Sequence, residues 1–126
     1  MIGYVMLGTN DLVQARAFYD PLMAKLGAVP GAWTSERSVF YVNGNQPMLS
    51  ITKPFDGEAA TAGNGTMVGL PAASRELVDE LYAWALANGA TDEGAPGIRG
   101  GEGSPFYGSY LRDALGNKLC IFNMAA

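Results

Sequence analysis

The sequence predicts an α+β fold in which one unit, a strand, a helix and three further strands (βαβββ), occurs twice. Three observations predict it. Apolar residues come in short blocks or at helical spacing, and each of the two helical stretches follows one short block. The glycines closing those stretches, Gly27 and Gly89, stand 62 residues apart. Seventeen glycines and seven prolines among 126 residues call for many turns and exclude a helical bundle.

The first block, Ile2 to Leu7, is too short for a helix and is closed by Gly8, so it reads as a strand. Asp11 with Gln14 three positions on marks a helix N-terminus. Leu12, Ala15, Tyr19, Leu22 and Leu26 then line one helix face, and Gly27 ends it. Pro21 lies inside this pattern and predicts a kink or a split near Asp20. Strands are expected at 28–33, 38–42 and 48–52, the last two joined by the hairpin signal Asn43-Gly44-Asn45. Module 1 so defined covers about 1–55, and the segment 53–65, rich in Gly and Pro, reads as a long connector.

The order then begins again as module 2, about 66–126. Thr66–Leu70 is the strand, Ser74 the N-cap, and Arg75 to Asn88 the helix, with Leu77, Val78, Leu81, Tyr82 and Ala85 on one side. Strands at 90–93, 106–112 and 117–122 complete the unit, with Asp113-Ala114-Leu115-Gly116 as the last turn. The halves share pattern with little residue identity.

Composition excludes much. There is no histidine, which removes Ser-His-Asp triads, Cys-His pairs and imidazole metal ligands. One cysteine, Cys120, excludes an internal disulfide and a CxxC motif and suits a reducing, cytoplasmic setting. Eight basic against twelve acidic residues give a net charge of −4. With no basic cluster, neither nucleic acid nor an anionic membrane is an expected partner. No signal peptide is read at the start, and no apolar run has the length of a membrane span.

Three segments resemble the vicinal-oxygen-chelate superfamily of glyoxalase I, bleomycin resistance proteins and extradiol dioxygenases. Gly8-Thr9-Asn10-Asp11-Leu12 with Ala17-Phe18-Tyr19 is similar to its strand-to-helix passage. Gly65 to Leu70 resembles the strand opening its second module. Arg112-Asp113-Ala114-Leu115-Gly116-Asn117-Lys118-Leu119 resembles its closing hairpin. The resemblance implies two βαβββ modules forming a curved, largely antiparallel sheet around a cavity, with helices on the outer face, and a homodimer. It also implies four metal-ligand places, which fall on Tyr4, Ser50, Met67 and Cys120. None is His, Asp or Glu, so no metal and no other cofactor is expected.

In the cavity so implied, Tyr4, Ser50, Met67 and Cys120 either pack against one another or form a mixed apolar wall for a small organic molecule. Cys120 also reads as a small hydrophobe, because reactivity needs a lowered pKa. The stretch Gly94 to Gly103 is a surface hairpin loop or a lid whose Arg99 meets an anionic group, with Tyr107 and Tyr110 as aromatic contacts. Trp33, Phe40 and Trp84 read first as core. The function expected is a metal-independent small-molecule-binding protein of the glyoxalase/bleomycin-resistance type. The alternatives are a glyoxalase-like lyase or isomerase using Cys120, Tyr4 or Glu93 as acid or base, and a non-catalytic structural or regulatory subunit.

Overall fold

The computed structural model describes residues 1–124 and divides into two compact units, 1–62 and 63 onward. Module 1 runs β1 (Tyr4–Gly8), α1 (Leu12–Lys25), β2 (Val29–Pro30), β3 (Ser38–Val42) and β4 (Met48–Thr52). Its sheet has the order β1-β4-β3-β2, with β1 parallel to β4 and the remaining pairs antiparallel. Module 2 repeats this with β5 (Met67–Pro71), α2 (Arg75–Ala87), β6 (Thr91–Ile98), β7 (Tyr107–Arg112) and β8 (Lys118–Asn123), in the order β5-β8-β7-β6. The expected twofold βαβββ architecture is therefore present.

Both helices start and stop as their sequences dictate. Asp11 and Ser74 are N-caps, each accepting from the backbone N–H three residues on. Gly27 (φ +90°) and Gly89 (φ +100°) turn the chain out of each helix in a conformation that favours glycine. Helix α1 runs through Pro21 without a break, which corrects the expected split. The turn before the proline is tied down: Asp20 pairs with Arg16 at 2.9 Å and accepts the Tyr41 hydroxyl from β3 at 2.6 Å.

Each helix covers one face of its own sheet. In module 1 Leu12, Phe18, Tyr19, Leu22 and Met23 bury Leu7, Val39, Tyr41, Leu49 and Ile51. In module 2 Val78, Leu81 and Ala85 bury Leu70, Leu111, Leu119 and Ile121. Strand residues alternate between faces, so every second residue projects from the face the helix leaves open.

Two segments depart from the expected elements, and the connector is as expected. Strand β2 is only two residues long, and Trp33 lies in the turn beyond it. Strand β6 continues through Gly94-Ala95-Pro96-Gly97 to Ile98, with two register shifts against β7, so the first half of the expected loop or lid is sheet. The connector carries no strand but is held at Ala60: its N–H donates to Asn10 Oδ1 at 2.7 Å, and its carbonyl accepts from Asn10 Nδ2 at 3.4 Å.

Candidate functional site

The two helix-free faces have the same register. In module 1, Ser50 on β4 lies between Met6 on β1 and Phe40 on β3. In module 2, Cys120 on β8 lies between Gly69 on β5 and Tyr110 on β7. Ser50 and Cys120 thus hold the same central place, each beside an aromatic residue, and each is buried, at 0% and 2% exposure.

On module 1 the rings of Tyr4 and Trp33 pack against Phe40 at 5.8 and 6.4 Å, each tilted by about 70° from it. Tyr4, Met6 and Trp33 are exposed. The Ser50 hydroxyl has no hydrogen-bond partner among the described residues. A separate open groove of about 480 Å³ lies beside the connector, between Thr9, Asn10, Arg37, Lys53 and Glu58. Its Arg37 is engaged by the Lys53 carbonyl and the Phe55 ring.

On module 2 the side chains converge on Tyr110. The Arg99 guanidinium lies 5.5 Å from its ring centre and the Lys118 ammonium 5.8 Å. Arg99 folds back on β6, donating to the carbonyls of Ala95 at 2.6 Å and Ile98 at 3.4 Å. The glycines of β6 make room for it: a Cβ on Gly97 would stand 2.9 Å from Arg99 Nη1, and one on Gly94 would stand 3.0 Å from the Tyr110 ring. Here glycine supplies space for a flat guanidinium. Among the described residues neither Arg99 nor Lys118 is in an ion pair, whereas Arg112 on the same face is held by Glu93.

Burial pushes the Cys120 thiol up, against the hydrogen bond with Tyr110 and the charges of Arg99 and Lys118 that pull it down. The Tyr110 phenol is raised too, first by burial and then by Cys120. Both groups are therefore neutral near pH 7.

Of the residues singled out from sequence, Tyr4 and Ser50 share the module 1 face, while Met67, Tyr110 and Cys120 share that of module 2, with Arg99 folded against Tyr110. Tyr107 lies on the opposite side of β7, where its hydroxyl donates to Asp79 of α2 at 2.6 Å and Arg75 covers its ring. Met6, Phe40 and Lys118 belong to these faces and were not singled out as site residues. Alternation from Ser50 and Cys120 across paired strands is the signal that finds them.

The donor chemistry at Tyr4, Ser50, Met67 and Cys120 does not fit a divalent metal. A phenol, a hydroxyl and a thioether are poor donors for such ions, and the one thiol is held protonated. Among the described residues no three His, Cys, Asp or Glu side chains come together.

No family model and no curated protein matches the chain. Solved structures do. A glyoxalase/bleomycin resistance protein from Albidiferax ferrireducens T118 is 40% identical, over 98% of either chain, with a TM-score of 0.86. A glyoxalase/bleomycin resistance protein/dioxygenase family enzyme from Burkholderia phytofirmans PsJN is 24% identical over 98% of either chain, at 0.77. A putative glyoxalase from Bacillus halodurans is 22% identical over 98% of this chain and 95% of its own, at 0.73. The last two speak for the fold alone.

Proposed function

We propose, for a chain that belongs to the glyoxalase/bleomycin resistance protein family, that it binds a small organic anion on the helix-free face of module 2 without using a metal. One observation carries this reading: two cations with no carboxylate partner among the described residues lean on one aromatic ring, in a protein of net charge −4. A guanidinium held by two carbonyls and seated on glycine is pre-organised, which lowers the ordering cost of binding. The Phe106 and Phe122 rings, stacked at 5.2 Å, add apolar area on the same module. Acid–base catalysis fits less well, since the Cys120 thiol and the Tyr110 phenol both stay protonated near neutrality. The protein would work in the cytoplasm as a homodimer.

Calorimetric titration with benzoate and its neutral amide tests the reading. Benzoate is expected to bind, and Arg99→Ala to weaken it by about tenfold, or about 1.4 kcal/mol, while the amide is unaffected. A second arm addresses the metal. A bound ion at a hundredfold excess over its Kd would add about 2.7 kcal/mol of stability. Protein incubated with Ni, Mn, Zn or Fe(II) and desalted is expected to keep far less than one equivalent and to melt unchanged. Stoichiometric metal with that gain, or benzoate binding indifferent to Arg99, overturns the proposal.

A further inference from the structure

We propose that Asn64 is a site of covalent self-modification: the backbone nitrogen of Gly65 displaces its side-chain amide, leaving aspartyl and isoaspartyl residues just before β5. The proposal stands apart from the binding reading above. An asparagine followed by glycine carries an electrophile and a nucleophile on adjoining residues, and glycine, lacking a side chain, leaves the approach open. The chain holds three such pairs, Asn43-Gly44, Asn64-Gly65 and Asn88-Gly89, and the related Asp56-Gly57. By residue type the three asparagines are equivalent. Their surroundings separate them.

Three of the four pairs are held. Asn88 donates from Nδ2 to the Trp84 carbonyl at 2.7 Å and from its backbone N–H to Ala85 at 3.0 Å. Asn43 opens the β3–β4 hairpin, where its carbonyl accepts from Gln46 at 3.0 Å. Its side chain packs on Gly27, whose Cβ, if it had one, would stand 3.1 Å from Asn43 Nδ2. At the aspartyl pair, Asp56 Oδ1 accepts from the Glu58 N–H at 2.9 Å, and the Gly57 N–H donates to the Pro54 carbonyl at 3.2 Å. Asn64 differs on every count. It is exposed and outside every helix and strand. Among the described residues neither its side-chain amide nor the Gly65 N–H makes a hydrogen bond. A Cβ on Gly65 would meet nothing within 4 Å. The Asn64 side chain therefore turns onto the Gly65 nitrogen without first breaking a contact.

The chemistry needs only water. Hydroxide or a water molecule takes the Gly65 amide proton, and the nitrogen forms a bond to Asn64 Cγ. The bond from Cγ to Nδ2 then breaks, and Nδ2 takes up a proton and leaves as ammonia. A five-membered cyclic imide remains. Water opens it at one of two bonds. Cleavage between Cγ and the Gly65 nitrogen restores the main chain with aspartate at position 64. Cleavage between the main-chain carbonyl carbon and that nitrogen routes the chain through the side chain, as isoaspartate. One water is consumed overall and one ammonia released, with nothing oxidised or reduced. Either product adds a negative charge to a chain of net charge −4. The isoaspartyl form also adds a carbon to the main chain close to Met67, which pairs with Lys118 at the start of β5.

Timed incubation of the folded, full-length protein at pH 8, followed by digestion and mass spectrometry of the peptides carrying each pair, tests this directly. Asn64 is expected to convert about tenfold faster than Asn43 or Asn88, each of which must open a hydrogen bond first. Its product is expected to be a mixture of aspartate and isoaspartate. In protein unfolded with guanidinium chloride the three rates are expected to converge, because only the fold sets them apart. Isoelectric focusing supplies a second readout: the first acidic form to accumulate in the native protein is expected to be missing from Asn64→Gln, whose longer side chain closes the imide poorly. Asn64 is exposed, so this variant folds as the native protein does. Conversion of Asn43 or Asn88 in the folded protein as fast as that of Asn64 overturns the proposal. So does an Asn64 that folding protects as much as the other two. Aspartate formed without isoaspartate also overturns it, since water and not Gly65 would then have attacked.

Discussion

The Tyr41 hydroxyl donates to Asp20 across 2.6 Å and ties the middle strand of module 1 to its helix just before Pro21. Burial, followed by the hydrogen bond and charge of Asp20, pushes the Tyr41 phenol far above its ordinary range. The fold thus favours the neutral phenol. That stability is complete below the unfolded pKa of about 10 and is lost as pH rises beyond it, by up to about 1.4 kcal/mol per pH unit. Tyr41→Phe is expected to cost about 1–2 kcal/mol at pH 7 and to flatten the alkaline decline. Urea midpoints measured at neutral pH and above about pH 10 check both effects; an unchanged decline would assign it to the other raised phenols, Tyr110 among them.

Ser50→Ala reverses the usual direction of a core substitution. Removing a buried hydroxyl with no partner among the described residues is expected to raise stability by about 1 kcal/mol, where most substitutions lower it. Chemical denaturation with an unchanged slope is the check. A loss of stability would show that the hydroxyl has a partner after all, a bound water being the simplest.

Asn10 closes both hydrogen bonds of Ala60 with one side-chain amide. Asn10→Ala is expected to cost about 1–2 kcal/mol and to speed proteolysis and amide exchange in the connector before the rest of module 1. Asn10→Asp keeps the acceptor and loses the donor, so its cost should fall between the two. If the connector resists protease equally in all three proteins, something other than Asn10 holds it.

Cys120 is expected to react slowly with iodoacetamide at pH 8, because burial raises its pKa and hides its sulfur. Lys118→Ala is expected to slow it further, since Lys118 is one of the charges pulling that pKa down. Mass spectrometry of timed samples, with unfolded protein as the reference, gives the rates. A faster reaction in Lys118→Ala would mean that the lysine acts as a cover.

Much of this architecture was legible because its signals are local. Asp11, Ser74, Gly27 and Gly89 each act on the backbone within one turn, and all four do what their types suggest. The closing turn is similar: Asp113 Oδ1 accepts from the backbone N–H groups of Leu115, Gly116 and Asn117, whatever surrounds it. What could not be read was decided by partners distant in sequence. Gly94 to Ile98 looks like a loop by composition, yet pairing with β7 makes it strand. Pro21 stays within a helix whose preceding turn is anchored by Tyr41, twenty residues on. Tyr107 is the exception, because the answer was available. It is three positions from Tyr110 on one strand, and alternation alone puts the two on opposite faces.

Strand β2 pairs through two residues, the second a proline, and β6, at the corresponding edge of the other sheet, is interrupted by two register shifts, the second spanning Pro96. An edge strand is a template on which another chain can lengthen the sheet, and a straight row of free amides is what recruits it. Neither edge offers one. The glycines and prolines that obscure these strands in the sequence also make these two edges poor templates for fibre growth. Replacing Pro96 and Gly97 with valine would give β6 a regular apolar border, and the expected outcome is a lower aggregation threshold on mild heating, followed by light scattering.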